Sequence, residues 1–359
     1  MIFSIDIGTA LRHFSLIFGL TIASFAIVAV ATPHYYKLLL KIGIRKQLRE
    51  ETADGKLAQI FRKLHKNKEG TPTMGGVLIW LTVAAIVFLS QPVAQLLNIT
   101  RFDLLNRNET YLPVFTLIAT ALLGLFDDYL NTRGGQAKGM RLKPKFLWLT
   151  LFGILGGLWF YFKLEYNQIH IPGIGDLTVG PWYILIFTFI IVSSANAVNF
   201  TDGLDGLAGG LIIISFLSLG IIAYLQGLVL LTAFCALIVG ATSAFLWFNI
   251  PPALFYMGDT GALSLGATMG VISMLTNSVV ILPFIAFIFV IEGLSSLLQL
   301  TWKKWFGKKL FSIAPLHHHL ENLGWPEEKV VMRFWIIGAF MAVLGVILEF
   351  LSLLSGVKA

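Results

Sequence analysis

Acidic side chains at the ends of apolar runs are the residues of this sequence best suited to chemistry. Asp127 and Asp128 stand together in "GLFDDYL", Asn199, Asp202 and Asp205 follow in "NAVNFTDGLDGLAGG", and Asp259 lies in "FYMGDTGALS". Asn249 ends another apolar run, and His317, His318 and His319 are consecutive in "APLHHHLENLGWPEEK". Charge is costly next to a bilayer and is seldom kept there without a role. Clustered aspartates supply hard oxygen ligands for a divalent ion such as Mg2+. Such an ion neutralises a diphosphate and the charge that develops in phosphoryl transfer. Lys143 and Lys145 in "MRLKPKFLW", with the histidines, suit the remaining phosphate charge. There is no Walker-type glycine loop, so nothing points to ATP hydrolysis of that kind. The histidines have neither cysteines nearby nor a His-x-x-x-His spacing, which argues against zinc.

Plainer roles compete with these. Asp127 and Asp128 could be interfacial residues, but the C-terminal end of a helix disfavours anions, and the pair repels itself. A metal or a cationic partner is the natural remedy. Asp202 could cap the following helix while the glycines make a turn; capping needs one acceptor, however, and the segment offers three. Asp259, at the start of an apolar run, could act as an N-cap, and the histidines could be a solvated run.

The elements that must carry these groups are membrane spans. Of the 359 residues 57% are hydrophobic and only 13% charged, about half the charge of a soluble domain. Runs of roughly 20 apolar residues, enough to cross a bilayer, recur along the chain. They place ten spans near 14–36, 74–91, 111–126, 146–162, 182–198, 207–225, 228–248, 261–276, 279–301 and 334–355. The expected fold is therefore all-α, a single polytopic membrane domain covering 1–359. Loops 37–73, 127–145, 199–206, 249–260 and 302–333 share a side and hold 21 Lys and Arg, against five opposite. The positive-inside rule makes that side cytoplasmic and puts both termini outside. Every candidate residue above then falls on the cytoplasmic side, in one cleft. The basic excess, 26 Lys and Arg over 19 Asp and Glu, belongs to these loops and not to nucleic-acid binding. The single cysteine, Cys235, excludes an internal disulfide. The N-terminal segment lacks a cleavage pattern and is expected to remain in the mature protein. Residues 166–180, "YNQIHIPGIGDLTVG", predict a small external hairpin, with a plain linker as the alternative.

"GTPTMGG", "FDDY", "SSANAVNFTDGLDGLAGG", "FLWFN", "YMGDTGALSLG" and "APLHHHLENLGWPEEKVVMRFW" resemble, in order, the bacterial phospho-N-acetylmuramoyl-pentapeptide transferases. These form a branch of the polyprenyl-phosphate N-acetylhexosamine-1-phosphate transferases. The resemblance runs from about Thr71 to Trp335. It implies an Mg2+-dependent enzyme of the bacterial cytoplasmic membrane, usually a homodimer. Undecaprenyl phosphate would attack the diphosphate of UDP-MurNAc-pentapeptide, giving lipid I and UMP. The resemblance also implies that Asp127 and Asp128 are the paired catalytic aspartates and Asp259 the magnesium ligand. By the same likeness Thr73, Lys143, Asn199, Asp202, Asp205, Asn249, Tyr256 and His317 to His319 bind substrate. Tyr256 takes the place of a phenylalanine that stacks on uracil, and Ala262 stands where a serine is frequent.

Two rival readings remain at this stage. A sister transferase would move another sugar-1-phosphate onto the same lipid, although the unbroken histidine triplet favours the muramoyl branch. A secondary transporter would hold its acids near the bilayer midplane, whereas these lie at span ends. The ninth run is expected to bend near Glu292, Gly293, Ser295 and Ser296 and to border a groove for the lipid chain. The alternative is that Glu292 is simply paired inside the bundle.

Overall fold

The computed structural model describes residues 6–45, 70–96, 98, 103–105, 108–132 and 142–355. Each apolar run lies on a helix. In chain order these are α1 (Ile7–Ile42), α2 (Gly76–Leu96), α3 (Asn108–Thr132), α4 (Leu142–Lys163), α5 (Trp182–Thr201), α6 (Leu207–Leu225), α7 (Val229–Asn249) and α8 (Gly258–Leu275). A short α9 (Leu282–Ile285) leads into α10 (Phe287–Phe306), and α11 (Leu316–Asn322) precedes α12 (Glu327–Leu354). Among the described residues eight helices, α1 to α7 and α12, are long and apolar enough to cross a membrane. α8 is rich in glycine, serine and threonine, and α10 carries Glu292, Lys303 and Lys304. The chain is a multi-pass membrane protein. Its outer helices turn large apolar side chains such as Phe18, Phe115, Trp159 and Phe340 outward, a surface suited to lipid.

α8 lies at the centre, buried from Thr260 to Leu275. It packs against α3 and α5 along its length, and small residues permit the approach. A side chain at Gly124 of α3 would run into the Asp259 carbonyl and the Thr260 backbone. At Gly266 it would meet the backbone of Ser194 and Ala195 on α5, and at Gly76 it would meet Gly261. Helices that meet through small residues bring their backbones, and whatever those backbones carry, close together.

Residues 168–171 (β1) and 175–178 (β2) form the expected antiparallel hairpin, with Ile169 opposite Leu177. Its His170 is buried. The ring bonds Asp176 through Nδ1 (2.7 Å) and Ser352 of α12 through Nε2 (2.7 Å), while its backbone N–H donates to Asn277 (3.0 Å). The hairpin is thereby fastened to α12 and to the turn after α8.

The ninth run departs from expectation. The helix breaks at Ala286 and is continuous through Glu292 and Ser296. Glu292 does not bend it, because its carboxylate leaves the helix ladder intact and instead accepts the His317 backbone N–H (3.1 Å) and the His317 ring Nδ1 (2.9 Å). Ser295 accepts the Leu316 N–H (3.1 Å). Glu292 is paired inside the bundle.

Candidate active site

The end of α3 brings the two neighbouring aspartates to different partners. The Asp128 oxygens accept the backbone N–H groups of Asp259 (3.1 Å) and Thr260 (3.0 Å), so Asp128 caps α8 from another helix. The positive end of the α8 dipole relieves its charge. Asp127 instead pairs with Lys145 of α4 (3.3 Å), and the same ammonium contacts Asp259. The other Asp259 oxygen accepts from Asn199 Nδ2 of α5 at 2.7 Å. Four helices, α3, α4, α5 and α8, thus converge on one ammonium and three carboxylates. The repulsion between the adjacent aspartates is met by a cation on one side and a helix N-terminus on the other.

Thr73 borders this group. Gly258 has a left-handed φ of 76°, and a side chain there would meet Thr73 Oγ1 and Asp128 Oδ2. The segment is held in place by Gly75 N–H donating to the Tyr256 carbonyl (2.8 Å) and Tyr256 N–H donating to the Pro72 carbonyl (2.9 Å). Burial, reinforced by the Asp205 carboxylate, pushes the Tyr256 phenol up, and the hydroxyl bonds Thr71. The Tyr256 ring is therefore neutral, and it is largely buried.

The histidines approach from α11. Both His317 and His318 turn Nε2 toward Gly203, where a side chain would collide with them. Their other nitrogens are held, His317 by Glu292 and His318 by Glu321 (2.7 Å). His319 bonds Ser312 (2.8 Å) instead. The loop from Asn199 to Asp205 therefore has the aspartate group at one end and the imidazoles over its middle. Asp202 ends α5 as its C-cap, while α6 starts at Gly206 without a side-chain cap, so Asp202 does not cap the following helix.

Asp205 and Asn249 tie loops together. Asp205 accepts the Ala253 N–H (3.0 Å), and its own N–H donates to Glu327 (2.6 Å). The Asn249 amide accepts from Gly206 N–H (3.0 Å) and donates to the Phe255 carbonyl (2.9 Å). Lys143 lies on the first turn of α4, but its side chain falls outside the described residues. Lys145, two positions on, is the lysine in the aspartate group. Glu321 and Glu327 are further members of the site's support that the sequence reading did not single out, and Glu292, read there as a bend or a paired acid, joins them. A lone acid within an apolar run was the signal that marked Glu292.

Oxygen donors predominate in the aspartate group, which suits a hard cation. Among the described residues no group of three or more His, Cys, Asp or Glu is spaced to bind a metal. Asp127 and Asp259 nevertheless share one positive charge, the Lys145 ammonium. An Mg2+ ion held by one or two carboxylates and completed by substrate phosphates and water fits that donor set.

Comparison with known proteins agrees with this geometry. Residues 110–277 match the family described as glycosyl transferase family 4. Residues 68–79 match signature 1 of the phospho-N-acetylmuramoyl-pentapeptide-transferases. A transferase of that name from Chloroflexus aggregans is 41% identical over 297 residues, 79% of this chain and 78% of the relative. One from Geobacillus sp. (strain WCH70) is 36% identical over 333 residues, 91% of this chain and 96% of the relative. One from Anoxybacillus flavithermus is 35% identical over 331 residues, covering 91% and 95%. The chain belongs to the phospho-N-acetylmuramoyl-pentapeptide-transferase family.

Proposed function

We infer that the chain transfers phospho-MurNAc-pentapeptide from UDP-MurNAc-pentapeptide to undecaprenyl phosphate, releasing UMP and forming lipid I. The observation that carries this reading is the meeting of Asp127, Asp259, Lys145 and Asn199, from four helices, at the end of a membrane bundle. In the reaction an oxygen of the lipid phosphate forms a bond to the sugar-bearing phosphorus as the bond to UMP breaks. Asp128 is occupied in capping α8, which leaves Asp127 as the group placed to accept a proton from the lipid phosphate. Lys145 pairs with both Asp127 and Asp259 and offers positive charge to the phosphates. Asn199 orients Asp259. His317 and His318, steadied by Glu292 and Glu321, present imidazole nitrogens at the Gly203 turn for phosphate or sugar oxygens. Tyr256, Thr73, Asp202, Asp205, Asn249, Lys143 and His319 complete the nucleotide side. Asp259 would hold Mg2+, which when bound neutralises the diphosphate.

In this reading α8 and α10 also cross the membrane, making ten spans, and the 21-to-five split of basic residues supports a cytoplasmic cleft with both termini outside. The reading places a homodimer in the bacterial cytoplasmic membrane. UMP release by the purified protein tests the assignment. Release should require UDP-MurNAc-pentapeptide, undecaprenyl phosphate and Mg2+ together. Preference for another UDP-sugar would assign the sister reaction, and release undiminished by chelation would remove the ion.

A further inference from the structure

The hairpin of β1 and β2 stands at the far end of the bundle from the aspartates. Its His170 is tied to Asn277, just past the C-terminal end of α8, whereas Asp259 lies in the first turn of that helix. A helix of 18 residues rises about 27 Å, close to the roughly 30 Å of a bilayer's hydrocarbon core. The hairpin therefore lies at the level of the opposite membrane boundary. No Lys or Arg occurs between Lys163 and Trp182, and the acids there are Glu165 and Asp176.

Side chains on paired strands alternate between two faces, and the register sorts this hairpin by polarity. Gln168 lies opposite Thr178 and His170 opposite Asp176, so four polar side chains share one face. The Gln168 amide donates to the Thr178 hydroxyl (3.3 Å), and the His170 ring bonds Asp176 and Ser352 of α12 (2.7 Å each). The bundle takes up this polar row, and His170 is buried in it. Ile169, Ile171 and Leu177 form the other face. Ile169 is covered, but Leu177 is 54% exposed and Ile174, at the turn, 79%. A hairpin standing in water packs its apolar row on the protein and shows its polar row. Here the order is reversed, as on a wall that faces lipid.

The exposed apolar residues continue a surface suited to lipid. Trp182, at the foot of the hairpin, is exposed, and Leu185 and Phe189 follow it on the same face of α5 at helical spacing. On α4, Trp159 and Phe162 do the same up to Lys163. Tryptophan is enriched at the membrane interface, and a lysine there extends its ammonium to the headgroups. We propose that the β1–β2 hairpin is a membrane anchor, lying in the interface of the leaflet opposite the aspartates with Ile174 and Leu177 at the level of the acyl chains. Its partner is the bilayer, held by apolar contact, since the hairpin offers no Lys or Arg to an anionic headgroup. His170 acts as the clasp. By holding the polar row against Ser352 it keeps Leu177 turned outward.

Spin labelling of the full chain in lipid nanodiscs tests this. Cys235 is buried, so a nitroxide reagent reaches only the thiol introduced by Ile174→Cys, Leu177→Cys or, on the polar face, Thr178→Cys. Oxygen, which concentrates in lipid, should relax the labels at 174 and 177 more than a water-soluble nickel chelate does, and the label at 178 should show the reverse. Nickel dominating at 174 and 177 would put the tip in water. Shielding from both reagents would put it against protein, a second copy included, and either result would overturn the anchor. Adding His170→Ala to Ile174→Cys should shift the balance at 174 toward nickel, and an unchanged balance would overturn the part given to the clasp. A measurement on the wild-type protein needs no variant to fold. A phospholipid with a diazirine near the top of its acyl chain should label the segment Ile171–Leu177 equally in phosphatidylcholine and phosphatidylglycerol bilayers. A segment left unlabelled, or labelled only in phosphatidylglycerol, would overturn the proposal.

Discussion

The two Asp128 oxygens accept the N–H groups of Asp259 and Thr260, so replacing Asp128 disturbs the helix it caps as well as any substrate. Asp259 allows a cleaner test. Asp259→Asn keeps the shape and a partner for Asn199 but removes the charge opposite Lys145. Turnover should fall more than about 100-fold, the scale of losing a main electrostatic stabiliser, while gel filtration and melting still report a folded protein. Near-normal turnover in that folded variant would discharge Asp259 from the site. At Tyr256 the ring and the hydroxyl separate. Tyr256→Phe loses the Thr71 bond, a change of about 1 kcal/mol, and should alter UMP affinity little. Because burial holds the phenol protonated well above its usual range, Tyr256→Phe should also leave the alkaline limb of the pH–rate profile in place. Tyr256→Ala should weaken UMP binding by about 1–3 kcal/mol if the ring stacks on the base. Equal calorimetric losses from both variants would give the role to the hydroxyl.

Between elements, the close passage of α3 over α8 sets the aspartate geometry. Gly124→Ala would push a methyl into the Asp259 carbonyl and force the helices apart. A loss of about 1–3 kcal/mol is expected, with turnover falling although no reacting group has changed. Gly19→Ala on α1, where an added methyl meets nothing within 4 Å, should be harmless or slightly stabilising in the same melting assay. Much of this arrangement was legible in the sequence, because apolar runs, turn residues and the hairpin's alternation are local signals. The pairing of Lys145 with both Asp127 and Asp259 was not. Only the docking of α4 against α3 and α8 brings that ammonium to residues 18 and 114 positions away. The pairing of Asp205 with Glu327 spans 122 residues, beyond the reach of any local pattern. The interruption of the ninth run falls at Ala286 and not near Glu292 for a related reason. A partner 25 residues away, His317, satisfies that acid without distorting its helix.

Across the whole molecule, the most enclosed long helix is one that does not qualify as a span by itself. α8 is not among the helices long and apolar enough to span by themselves, yet it carries Asp259 and is buried by its neighbours. Its walls, α3 and α5, precede it in the chain and leave the ribosome first. Placed alone in a carrier protein, α8 should insert poorly when scored by glycosylation mapping. Preceded by α3 to α7, it should insert efficiently; equal insertion in both contexts would show that it needs no slot. The biosynthetic consequence is that Asp127 and Asp259 meet only after α8 has been admitted between helices already in the membrane. A nascent chain stalled after α7 holds Asp127 and Lys145 but lacks Asp259, the third member of the group, and stays inert until the eighth helix arrives.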